Sequence, residues 1–124
     1  MTDVETTVDT YLAAWSEPDE VRRADMIGAA WTVDGRLTDP PLAGEGHDGI
    51  NEMATALQVH YPGHTFRRTS GIDTHHEYVR FSWDLVGPDG TAAITGIDVG
   101  ELSEDGRLQR ITGFFGDLPT LEAA

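Results

Sequence analysis

At 124 residues the chain has the length of one domain, and 39% apolar with 24% charged residues is an ordinary globular composition. The formal net charge of −14 argues against nucleic acid, which needs clustered basic groups, and against an anionic membrane surface. With no cysteine, disulfides, thiolate catalysis and cysteine-held zinc are excluded.

No apolar run approaches the roughly 18 residues of a membrane helix. The N-terminal stretch MTDVETTVDT is acidic and carries no apolar leader. The expectation is therefore a single cytoplasmic domain over residues 1–124, with no repeat, linker or low-complexity segment.

Val4, Val8, Tyr11, Leu12 and Trp15 recur at helical spacing, which predicts an amphipathic helix over 4–15. SEPDE breaks it and starts a second helix that runs to about Ala30, with Ser16 or Glu17 as cap and Pro18 in the first turn. Residues 31–39 read as extended, with a turn signal at Asp34-Gly35, and stop at Asp39-Pro40-Pro41. GHDGINEMATALQVHYPG predicts a third helix with capping chemistry at its start and a stop at Pro62-Gly63. Strands are predicted over 65–72, 75–86, 91–102 and 107–115, with turns at GPDG (87–90) and SEDG (103–106). The order is α-α-β-α-β-β-β-β. Short turns between long strands make neighbours antiparallel. Segregated helices and strands make the fold α+β: a curved, mostly antiparallel sheet packed on three helices, with a cavity between the layers.

Three polar residues stand out by position. Tyr11 lies on the apolar face of the first helix, where a core role with its hydroxyl bonded is the bland reading. Asp39 ends the first strand before proline, where an acid commonly shapes a turn. Asp98 sits in the strand AITGIDVGEL, where it either faces solvent or is buried for a purpose. The five histidines show no metal-ligand spacing, so no metal is expected. The Arg pairs at 22–23 and 67–68 read as exposed charges. Arg80 falls on the polar side of its strand, opposite Val79, Phe81, Trp83 and Leu85.

In TYLAAW, GRLTDPPLAGEGHDGI and TGIDVGELSEDGRLQRITGFFG the chain resembles the ketosteroid isomerase and SnoaL-like branch of the NTF2-like superfamily, the cystatin-like cones. The resemblance covers nearly the whole chain, and its order and spacing are more specific than any one motif. It implies that Asp39 is a base, and that Tyr11 and Asp98 are oxyanion donors or an acid partner. Ketosteroid isomerase is itself a standard example of a carboxylic acid kept protonated by an apolar site. In SnoaL-like polyketide cyclases the acidic strand residue is the acid–base catalyst, a position nearest Asp98. The Arg-x-Asp pair of limonene epoxide hydrolases is missing at the strand position of Arg80, which is followed by FSWD.

The expected function is cofactor-independent proton transfer, of isomerase or cyclase type, on a small apolar carbonyl compound. A non-catalytic ligand-binding or interaction domain of the same fold is the alternative. Trp15, Trp83, Phe81 and Phe114 are the candidate pocket walls, with His47 at the mouth. A homodimer through the outer sheet face is the expected assembly.

Overall fold

The first helix, α1 (Val4–Ala14), begins where Asp3 accepts the Thr6 N–H at 3.3 Å, and it buries Val8, Tyr11 and Leu12 along one face. This computed structural model describes residues 3–40 and 42–122. Pro41, half of the expected double-proline stop, lies outside the described residues. The second helix, α2 (Glu20–Ala30), is capped by Asp19 and not by Ser16 or Glu17: the Asp19 carboxylate accepts the Val21 and Arg22 N–H groups at 2.9 and 3.1 Å. Strand β1 (Trp31–Thr38) runs straight through Asp34-Gly35 as a bulge and not a turn. Its pairing with the last strand shifts between Trp31 and Arg36. Gly35 is required there, because a Cβ would collide with the Trp31 ring folded over it.

A three-residue strand absent from the sequence reading, β2 (Ala43–Glu45), pairs back on β1. It leads into α3 (Gly46–His60), whose N-cap Glu45 makes no side-chain capping bond, contrary to the expected capping chemistry. The expected strand over 65–72 stops as β3 (Thr65–Arg68). The expected strand over 75–86 begins only at Tyr78, as β5 (Tyr78–Val86), divided from a short strand β4 (Asp73–His75) that precedes it. The division is a tight reversal at His76, which adopts a left-handed backbone with φ of 53°. Strands β3 and β4 pair with opposite ends of β5. Then β6 (Ala92–Leu102) and β7 (Leu108–Phe115) follow across the two glycine-ended turns, where Gly90 and Gly106 hold φ near 85°.

The sheet order is β2-β1-β7-β6-β5-β3, with β4 beside β5. The β1–β7 pairing is parallel and the others are antiparallel. The result is the expected α+β cone: α1 and α3 lie against the sheet's inner face, and the core forms between the layers. The outer face leaves Ile97, Val99 and Phe114 exposed. No described helix is long and apolar enough to cross a membrane.

One charge contradicts the sequence reading. Arg23, expected on the surface, is only 3% exposed. Its guanidinium reaches the Glu17 carbonyl at 2.7 Å, the Thr55 hydroxyl at 3.1 Å and the Asn51 side-chain oxygen, so it ties α2 to the α1–α2 loop and to α3. No carboxylate among the described residues pairs with it. Its neighbour Arg22 is exposed, on Glu17. We expect Arg23→Ala to lower unfolding stability by about 2–4 kcal/mol, since a buried guanidinium and its three part-buried hydrogen bonds are lost. Arg22→Ala should change it by less than about 0.5 kcal/mol. Denaturant unfolding of both variants checks this, and equal losses would contradict the tie.

Candidate functional site

The inner face of β5 carries Val79, Phe81, Trp83 and Leu85, all buried. Opposite them on β6 stand Gly100, Asp98, Gly96 and Ile94. Large side chains on one strand thus meet small ones on the next. The space at Gly96 and Gly100 is filled by protein. A Cβ at Gly96 would collide with the Trp83 ring, and one at Gly100 would lie 2.9 Å from Ile111 Cδ1 and 3.0 Å from Val79 Cγ2.

Asp98 is 3% exposed. The Tyr11 hydroxyl donates to its Oδ2 at 2.7 Å. Burial pushes the Asp98 carboxyl from 3.8 up to about 6; the hydrogen bond from Tyr11 and the nearby Trp83 indole oppose this, and the charge of Asp39 adds to it. Burial, followed by the Asp98 charge, raises the Tyr11 hydroxyl well above its usual value, so it stays a neutral donor. The Tyr11 ring is itself held edge-on by Trp15, Trp31 and Phe81, with centroids 5.7–6.3 Å away.

Asp39 serves as turn residue and faces the cavity as well. Its Oδ1 accepts the Leu42 N–H at 3.2 Å, while its own N–H donates to the Leu42 carbonyl at 2.9 Å. These bonds close the loop after β1 and fix the carboxyl at the rim of the cone. Burial raises it from 3.8 to about 6, and the Leu42 N–H pulls the other way. Asp39 and Asp98 meet over the backbone of Gly113 on β7. A Cβ there would lie 2.9 Å from both Asp39 Cβ and Asp98 Oδ1. Gly113, which the sequence reading passed over, is what allows the two acids to approach.

The cavity between them measures about 30 Å³, which is room for one or two water molecules. Tyr11, Trp15, Trp83 and Asp98 are buried in its wall; Leu42, Leu57, Ile94 and Phe115 are half-buried and form its rim. A second aromatic chain closes one side: Trp15, Phe66, Trp83 and Phe115 follow one another with centroids 5.0–5.8 Å apart.

Of the residues singled out from the sequence, Tyr11, Asp39, Asp98, Trp15 and Trp83 come together here. Three do not. Phe114 is 61% exposed on the outer face, because β7 turns Ile111, Gly113 and Phe115 inward; Phe115 is the wall residue instead. Phe81 is core beneath Tyr11 and does not line the cavity. His47 is turned to the Trp31 carbonyl, 3.0 Å from its Nε2, and is not at the mouth. Among the described residues no three His, Asp or Glu side chains are grouped to hold a metal ion.

No protein-family model matches the chain, and no curated protein does. Solved structures do match. A protein of the SnoaL-like family from Agrobacterium tumefaciens, provisionally described as an isomerase, is 40% identical with a TM-score of 0.86, covering 94% of this chain and 100% of that one. A protein of cystatin-like fold from Methylobium petroleophilum is 17% identical, with a TM-score of 0.75, over 98% of this chain and 80% of that one. An NTF2-like protein from Exiguobacterium is 16% identical, with a TM-score of 0.70, over 90% and 99%. The latter two show the fold alone.

Holding Asp98 at about 6 in place of 3.8 corresponds to a cost of about 3 kcal/mol for ionising it in the folded chain. Below pH 3.8 the group is neutral in both states and the cost is absent. It accrues as pH rises through the window from 3.8 to about 6. We expect Asp98→Asn to match the wild-type chain in stability near pH 4 and to exceed it by about 1–3 kcal/mol near pH 7.5. Denaturant unfolding at the two pH values checks this. A difference that does not widen with pH would contradict a buried, destabilised carboxylate.

Proposed function

The chain belongs to the SnoaL-like family, and from that premise we propose that it moves a proton at a carbon next to the carbonyl of a small, largely apolar compound, without a cofactor. The observation that carries this reading is the meeting of Asp39 and Asp98 over Gly113, in a cavity otherwise walled by aromatic and aliphatic side chains.

Asp39 is the base. One of its oxygens is held by Leu42, so Oδ2 is the oxygen that takes the proton. The C–H electrons become the carbon–carbon double bond of an enolate, and charge builds on the carbonyl oxygen. Asp98, when protonated, donates to that oxygen, an interaction of the kind whose removal typically costs about 3 kcal/mol of barrier. Asp39 then returns its proton to the same carbon or to a neighbouring one. Tyr11 acts through Asp98: its hydroxyl already donates to Oδ2, which orients the carboxyl and leaves Oδ1 for the substrate. It is a positioning residue more than a second direct donor.

The reading sets a pH requirement. Asp39 must be ionised and Asp98 protonated, and both titrate near 6. The competent form of the pair is therefore most populated near that pH. The small cavity sets a size requirement, since ligand pockets for drug-sized molecules measure about 300–1,000 Å³. Even a five-membered-ring ketone exceeds this space, so any such molecule enters only as the half-buried rim residues Leu42, Leu57 and Phe115 move, and a fused-ring steroid needs a much larger movement.

That size favours one second reading, a binding domain that holds a small molecule and does no chemistry. Exchange of ketone α-protons separates the two. In deuterated buffer, with cyclopentanone as probe, the wild-type chain should speed deuterium incorporation, seen by proton NMR. Asp39→Asn should lose at least about 100-fold of that acceleration. The rate should pass through a maximum near pH 6. Equal rates for the two chains would remove Asp39 as base. A rate still climbing at pH 8 would remove protonated Asp98 as donor.

A further inference from the structure

Tyr11 directs its hydroxyl at Asp98, so in the proton-transfer reading only one donor, Asp98, is directed at the carbonyl oxygen. The wall of the same cavity holds another. Trp83 is 4% exposed, and its indole Nε1 is buried with no hydrogen-bond partner among the described residues. It lies beside Asp98 and favours that carboxyl's charged form, yet it makes no hydrogen bond of ordinary length and angle. A buried N–H left without an acceptor costs about 1–3 kcal/mol. A core position would satisfy it or replace it with phenylalanine.

We propose that the Trp83 indole N–H is a specificity-determining donor that binds the oxygen of the molecule occupying the cavity, beside Asp98. Gly96 positions it. The absent Cβ leaves room for the indole ring, and a Cβ there would collide with it and displace the ring and its N–H. The site then selects a compact molecule that presents a hydrogen-bond acceptor to β5 and β6, with its apolar part toward Leu42, Leu57 and Phe115. The inference rests on the reading of this cavity as the reaction site, and adds what that site recognises.

The test compares cyclopentanone with methylenecyclopentane, which has nearly the same shape and no acceptor. The chain has three tryptophans, and Trp83→Phe identifies the Trp83 indole signal by its loss. In the ¹⁵N-labelled wild-type chain the ketone should move that indole proton downfield, while the hydrocarbon should not. Trp83→Phe should weaken the ketone about tenfold and leave the hydrocarbon within about twofold. Gly96→Ala, which keeps the indole, should weaken the ketone as well. An indole signal that stays put as ketone is added overturns the proposal, as does equal weakening of both probes in Trp83→Phe. Binding is read apart from turnover: an absent α-proton exchange defeats proton transfer, and the indole shift decides the donor by itself.

Discussion

A carboxyl group withdrawn from water must be neutralised or surrounded by donors, and Asp98 is the place where this chain meets that demand. The Tyr11 hydroxyl answers part of it, from a helix far away in sequence. That one bond joins α1 to the middle of the sheet. Trp15, one turn further along the chain, stands in the wall of the same cavity. The Tyr11 bond does not answer the whole demand, since burial still leaves the carboxyl at about 6. A group in that condition holds or releases a proton under mild change, which is the property a proton-transfer site requires.

Around it the packing follows from an exchange of volumes between neighbouring strands. The bulk of β5 fills the space that Gly96 and Gly100 leave on β6, and Gly113 on β7 leaves space for the two acids. Three glycines on the inner face thus have three occupants: an indole, a pair of aliphatic side chains, and two carboxyl groups. Where the occupant is polar, the cavity lies. The loop closed by Asp39 and Leu42 then brings the second acid in from the rim.

Much of this was legible in the sequence, and the misses have physical causes. The helices and long strands follow from periodicity, which burial enforces. Asp39, Tyr11 and Asp98 were found by position and by the family resemblance. The pattern of β6 misleads, because its large apolar residues Ile97 and Val99 face outward while Gly96, Asp98 and Gly100 face inward. Amphipathic reasoning assigns such a strand the wrong way round unless the neighbour's bulk is known. Phe114 and Phe115 are adjacent, and only the inward set of Ile111 and Gly113 says which of them enters the cavity. Arg23 and Arg22 differ in burial for a reason outside their own helix: the acceptors of Arg23 lie on α3 and the preceding loop. The short strands β2 and β4 are too brief to show a period, and pairing alone defines them.

The central claim is that Asp39 and Asp98 form one coupled pair in a poorly solvated cavity. Carboxyl ¹³C chemical shifts of aspartate-labelled protein, followed across a pH titration, test it most directly. The account predicts that both residues titrate near 6, and that Asp39→Asn lowers the midpoint of Asp98, since the Asp39 charge helps to raise it. Two independent titrations near 3.8, the ordinary aspartate value, would contradict it.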